Sequence, residues 1–193
     1  MAKASHREQI LNVGMRVVHT YGYAGATIRD IAKAADVPQG SFTNHFPSKE
    51  AFGLAVVDLY YDNTRVGIDA TLLNDALPPL ERLSAFIDLN IARFKRDGMR
   101  NGCLFGNFAI ETSEHSELLR NRLVAIFSDI RDSITYCLKA AVVAGELPTN
   151  TDCDGLSDFM LASLQGAELL AKAQRSAEPL ERLKKTAFAS LLR

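Results

Sequence analysis

The sequence predicts an all-α fold of about nine helices, and three observations carry that prediction. Apolar residues recur at three- and four-residue spacing along almost the whole chain. No stretch alternates apolar and polar residues as a half-buried strand does. Glycine, proline and capping residues fall between the periodic stretches and divide them into helix-sized pieces. The chain has 193 residues, 47% of them apolar, which is enough to bury a sizeable core. No internal repeat or low-complexity segment interrupts the pattern.

The first helix places Ile10, Val13, Val17, Val18 and Tyr21 on one face and stops at Gly22. A second starts at Thr27. Thr27 is a natural N-cap and Asp30 stands three residues on, the spacing of a capping box. Ile28, Ile31 and Ala32 form its apolar face. Ala34, Ala35 and Val37 are compact residues where two helices cross closely. Asp36 is placed to cap a third helix, with Pro38 in its first turn. In that helix Phe42 and Phe46 lie four apart and point inward. Gln39 with Thr43, and Gly40 with Asn44, are left facing out. The outward face is small, uncharged and rich in hydrogen-bonding groups, as suits a helix that enters a major groove.

Ser48 caps a fourth helix running to about residue 68. Its free N–H groups and Lys49 offer a phosphate site. A loop with Asn74-Asp75 and Pro78-Pro79 precedes a helix from Leu80 to Asp97, ended by Gly98. A short helix begins near Cys103, after Gly102. The next runs from Ser116 to Ala144 and ends at Gly145 and Pro148. Thr151 with Asp154 reads as a second capping box, opening a helix over about 152–174. The last helix has Pro179 in its first turn and reaches about Leu192.

Helix 1, Gly22-Tyr23, Thr27-Ile28-Arg29-Asp30-Ile31-Ala32, Val37, Gly40-Ser41-Phe42, His45-Phe46 and Ser48-Lys49-Glu50 together resemble the TetR/AcrR family of transcriptional repressors. The resemblance covers about the first fifty residues. It implies a helix–turn–helix DNA-binding domain over 1–47 and a ligand-sensing and dimerisation domain over 48–193. It also implies a homodimer through a four-helix bundle, released from a palindromic operator by a small-molecule inducer. The DNA-binding set is then Thr27, Arg29, Gln39, Gly40, Ser41, Thr43, Asn44, His45 and Lys49. Family members often carry an aromatic where Thr43 stands, so its shorter hydroxyl is a departure. In the penultimate helix Ala162, Ser163, Gly166 and Ala167 allow close approach. Leu161, Leu164, Leu169 and Leu170 surround them with apolar area, which fits either a dimer seam or packing within one chain.

The Gly102-Cys103-Leu104 segment, with Ala171-Lys172 and Glu178-Pro179-Leu180-Glu181, is similar to a family branch that represses reductase genes and responds to electrophiles and oxidants. That similarity implies a sensing role for Cys103. A helix N-terminus and nearby Arg100 favour a thiolate there, whereas a small buried residue at a tight helix start is the plain alternative. Lys172 either pairs with Glu168 one turn back or reaches toward Cys103. Cys137 reads as an inert core residue. Cys153, between Asp152 and Asp154, reads as the least reactive thiol if exposed. A rival signal is an apolar ligand in a pocket lined by Phe94, Phe105, Phe108, Phe127, Tyr136 and Phe159, unless these rings are only core.

The net charge is −1, with +2 over residues 1–50 and −3 beyond, so DNA affinity rests on placed contacts and dimerisation more than on bulk charge. No nucleophile–base pair or paired carboxylates indicate an enzyme, and Glu111 and Glu114 read as solvated residues of a helix end. No metal-ligand cluster or nucleotide loop indicates a metal or cofactor. Met1-Ala2-Lys3-Ala4-Ser5 does not read as a signal peptide, and no apolar run is long enough to span a membrane. Three cysteines without close pairing fit a reducing cytoplasm.

Overall fold

A computed structural model of the chain describes residues 6–192. The reading of Met1–Ser5 lies outside them. Nine α-helices follow in order among the described residues: α1 (His6–Tyr21), α2 (Ile28–Ala34), α3 (Gln39–His45), α4 (Lys49–Ala70), α5 (Pro79–Arg96), α6 (Leu104–Thr112), α7 (Glu117–Val143), α8 (Cys153–Gln174) and α9 (Glu178–Thr186). A π-helical turn, Ala187–Leu191, closes the described chain, so the last α-helix stops earlier than the sequence pattern indicates. No described helix is long and apolar enough to cross a membrane.

The chain divides into two compact units. One comprises the chain up to Asp62 together with Leu104–Val124; the other comprises Asn63–Cys103 and the chain from Ala125 onward. The first unit is built around three aromatic rings. Phe42 and Phe46 lie 5.5 Å apart between ring centroids, and Phe52 of α4 stands 5.2 Å from each. Ile10 of α1 and Ile31 of α2 are also fully buried. Gly14 lets α1 come close to this core. A Cβ there would stand 2.5 Å from Phe52 Cζ and 2.8 Å from Ile31 Cγ2.

The capping box at α2 is complete. Asp30 N–H donates to Thr27 Oγ1 at 3.1 Å, and Thr27 N–H donates to Asp30 Oδ2 at 3.2 Å. The Thr27 hydroxyl also donates to Asp30 Oδ2 at 2.5 Å, and this bond, ahead of the one from Thr27 N–H, holds the Asp30 carboxyl below its ordinary pKa. Asp36 does not cap α3. It occupies the left-handed region at φ +52 in the α2–α3 turn, and Pro38 is the N-cap with no side-chain bond. An aspartate tolerates that conformation better than most residues, so the turn uses it for its backbone. Tyr21 also departs from the predicted inward face of α1 and is 72% exposed. The face that is buried comprises Ile10, Leu11, Gly14 and Val18.

The turn after α1 is fastened to α6. Gly22, at φ +80, donates to Val18 O, and Ala24 N–H donates to Glu111 Oε2 at 2.7 Å. Glu111 is therefore a structural acceptor and not a solvated residue of the helix end. Ser48 Oγ accepts from Ala51 N–H at 3.0 Å and opens α4 as the sequence predicts.

In the second unit α5 buries Leu83, Phe86, Ile87, Ile91 and Phe94, the predicted stripe. The α8 cap shifts by one residue. Asp152 is the N-cap, accepting from Gly155 N–H at 3.0 Å, while Thr151 Oγ1 donates to Pro148 O. A carboxylate at a helix N-terminus competes well with a hydroxyl for this place. Lys95–Glu181 at 2.7 Å and Lys184–Asp88 at 2.5 Å tie α5 to α9.

Candidate functional site

Because Phe42 and Phe46 are buried, the other face of α3 is fixed outward. Gln39, Gly40, Thr43, Asn44 and His45 are all exposed, and Ser41 is half-buried. Thr27 and Arg29, at the start of α2, are exposed as well. The Thr43 hydroxyl donates back to Gly40 O at 3.0 Å. No Cβ contact lies within 4 Å of Gly40, so the centre of the face is open backbone. A short, uncharged, protruding helix of this kind presents side chains that bond base edges. Lys49 is more engaged than the sequence indicates. Its Nζ donates to Ala24 O at 3.3 Å and lies 4.8 Å from the centre of the Tyr23 ring. Partial burial lowers its pKa, while Glu111 opposes that shift.

The three cysteines are buried and free of disulfides. Cys137 donates to Pro79 O at 3.0 Å, and burial pushes its thiol up to about 11. Cys153 is buried rather than exposed, and burial raises its pKa ahead of the two flanking aspartates. Cys103 follows a loop in which Gly98, Met99 and Gly102 all have positive φ, and Arg175 Nη1 holds that loop by donating to Met99 O at 3.0 Å.

The Cys103 thiol bonds to the side chain of Glu168 on α8. Glu168 is 2% exposed. Gln165 Nε2 donates to its Oε2 at 2.9 Å, and Arg93 Nη2 of α5 stands 3.6 Å from its Oε1. Burial raises the Glu168 carboxyl from 4.5 to about 6, against the opposing pull of Arg93, Cys103 and Gln165. In this contact the Cys103 S–H donates and a Glu168 carboxyl oxygen accepts.

The family model described as bacterial regulatory proteins, tetR family, matches residues 10–56. A second, the tetracyclin repressor-like C-terminal domain, matches residues 79–187. The HTH-type transcriptional repressor DhaR of Mycobacterium sp. (strain GP1) is 36% identical over 192 residues, spanning 100% of this chain and 95% of DhaR.

The chain belongs to the TetR family.

The HTH-type transcriptional repressor NemR of Escherichia coli (strain K12) is 30% identical over 178 residues, covering 91% of this chain and 88% of NemR. The crystal structure of the regulatory protein TetR from Rhodobacter sphaeroides superposes with a TM-score of 0.90 at 29% identity, covering 95% of this chain and 97% of that one. The chain is accordingly a TetR-family DNA-binding transcriptional repressor and not an enzyme.

Within this TetR-family fold the six predicted pocket aromatics are divided between the two units. Phe105 and Phe108 belong to the first unit, the other four to the second. Phe94, Phe105 and Phe108 are buried core, Phe127 is half-buried, Tyr136 bonds to Asp75, and Phe159 is 51% exposed. Lys172 is half-buried one turn beyond Glu168. Arg93 and Gln165 were not singled out by the sequence reading, and Glu168 was read only as a helix-surface partner of Lys172. A signal for Glu168 was present. It falls on the stripe Cys153, Ser157, Met160, Leu164, Ala167 and Ala171, which α8 buries.

The raised Glu168 carboxyl has a consequence for stability. The folded chain holds this proton more tightly than the unfolded chain. The associated stability is complete below pH 4.5 and lost as pH rises through about 6. The ionised form then costs about 2 kcal/mol. Glu168→Gln abolishes that loss. Its unfolding free energy relative to the parent protein should rise by about 2 kcal/mol from pH 4 to pH 7 in urea titrations. Parallel curves across that range contradict the assignment.

Proposed function

We propose that the protein acts as a cytoplasmic homodimer that holds two α3 helices on the half-sites of a palindromic operator and lets go when an inducer is sensed. The observation that carries this reading is the aromatic clamp under α3, which leaves Gln39, Gly40 and Asn44 exposed as a group. Gln39 and Asn44 are suited to adenine edges, with Ser41 beside them. Thr27, Arg29, Thr43, His45 and Lys49 surround that face as phosphate partners. The division of labour falls near residue 47, the reader before it and the sensing and dimerising body after it. The 22-residue α4 begins just past that boundary, at Lys49, and is the helix through which the body reaches the reader.

The dimer seam lies on α8 and α9. Leu164 and Ala167 face inward, but Leu169 and Leu170 are 58% and 50% exposed. A shallow groove beside them is lined by Ser163, Gly166, Leu170 and Leu183. Exposed leucines next to the small residues Ser163, Gly166 and Ala167 of α8 fit a second copy of the same hairpin in a four-helix bundle. Leu170→Asp places a charge there. Sedimentation should show the monomer, and operator affinity at a fixed salt concentration should fall at least about a hundredfold as the second half-site contact is lost. A dimer that persists with full affinity removes the seam from α8.

Cys103 is the receiving residue for an electrophile or oxidant, with Lys172 close in sequence to its partner Glu168. Alkylation of the thiol removes the hydrogen-bond donor that Glu168 accepts in a buried site, and this change is transmitted to the body helices. Treatment with N-ethylmaleimide should weaken operator binding of the parent protein, and Cys103→Ser should resist it. Equal loss in both places the receiving site elsewhere.

A further inference from the structure

A crevice of about 470 Å³ runs between α4 and α5 in the second unit. One side of its lining is apolar, from Val66, Phe86 and Leu89. Gly67 lets Leu89 pack directly onto the α4 backbone, since a Cβ there would stand 2.6 Å from Leu89 Cδ2. The other side is polar and basic. Asn90, Arg93 and Arg96 follow one another along α5 at three-residue spacing, so all three face the crevice. No acidic residue lines it. Asn90 is buried, its Nδ2 donates to Phe86 O, and its Oδ1 accepts from Arg93 Nη2 at 3.0 Å. Arg96 is exposed and makes no ion pair among the described residues.

Arg93 has two neighbourhoods. The residue lines this crevice, and its Nη2 stands 3.6 Å from the buried carboxyl of Glu168. At 3.6 Å the pair is looser than a bidentate arginine–carboxylate bond. The crevice lining itself carries two guanidinium groups and no carboxylate. Arginine is the side chain best shaped to take a second carboxylate.

We infer that this crevice binds a small organic carboxylate with a short acyl chain, its charge held by Arg93 and Arg96 and its carbons against Val66, Phe86 and Leu89, and that occupancy draws Arg93 away from Glu168. The inference deepens the inducer reading and rests on it, naming the chemical class of the ligand. A buried carboxylate that loses its cation takes up a proton rather than remain charged in a dry site. A protonated Glu168 is a poorer acceptor for the Cys103 thiol. Carboxylate ligand and thiol chemistry therefore meet at one residue, and neither requires a separate switch.

Calorimetric titration of the full-length protein with butyrate, butyramide and inorganic phosphate tests this. Butyrate is expected to bind at about millimolar concentration or below. Butyramide, of the same shape without charge, and phosphate, charged without a chain, should each bind at least about tenfold more weakly. Arg96→Gln, an exposed change, should weaken butyrate at least about tenfold with an unchanged unfolding midpoint. Arg93→Lys keeps the charge but loses the planar fork, and should also weaken it. Butyrate binding at pH 7, repeated in buffers of different ionisation heat, should show proton uptake that Glu168→Gln removes. Failure of butyrate to bind, equal affinity for butyramide or phosphate, or undiminished binding in both arginine variants overturns the proposal. Operator binding measured in parallel separates this outcome from failure of the repressor reading, since it needs no ligand.

Discussion

The contact of Phe52 with Phe42 and Phe46 determines what this molecule presents to the outside. α3 has seven residues, too few to hold a helix in water unaided. Its two aromatic side chains lie four apart and stack into a pocket closed by α1, α2 and the start of α4. Turning α3 about its axis would bring a phenylalanine ring into water and put polar side chains into the core. Burial of one such ring is worth about 1.5–3 kcal/mol, so the orientation is strongly set. The polar face points out because the aromatic face cannot.

This explains why the head was legible in the sequence and much of the body was not. The capping box at Thr27 and Asp30 and the Phe42–Phe46 pair are local patterns, which spacing reveals. The errors in the head are local as well. Asp36 has capping chemistry, but the turn uses its backbone, and Tyr21 has the right period for the core but lies past the end of the buried face. In the body the decisive partners are far apart in the chain. Glu111 bonds to the amide of Ala24, 87 residues away. Glu168 meets Arg93 and Cys103 on other elements, and helical spacing on α8 cannot name residues on α5. The aromatic residues chosen for a pocket were selected by type. Phe94, Phe105 and Phe108 are buried and Phe159 is exposed, a difference that residue type alone does not reveal.

The group formed by Arg93, Glu168, Gln165 and Cys103 is the most unusual piece of chemistry in the body. Hydrophobic residues of similar volume would pack such a site at no cost in charge burial. An ionisable residue in this position makes the unit sensitive to what happens to its partners. Each of those partners is open to a different influence. Arg93 faces a crevice, Cys103 carries a nucleophilic atom, and Gln165 supports the carboxyl geometry. The outward face of α3 and this buried group lie in separate units of the chain, the first in the Phe42–Phe46–Phe52 unit and the second in the unit that holds Arg93 and Glu168.

The most direct test of the central claim is selection of bound duplexes from a random library, with the parent protein and with Gln39→Ala/Asn44→Ala. The parent should enrich an inverted repeat. The double variant should keep the half-site spacing but lose preference at the base pairs that Gln39 and Asn44 contact. An enriched motif identical in both proteins would show that the outward face of α3 does not read the sequence.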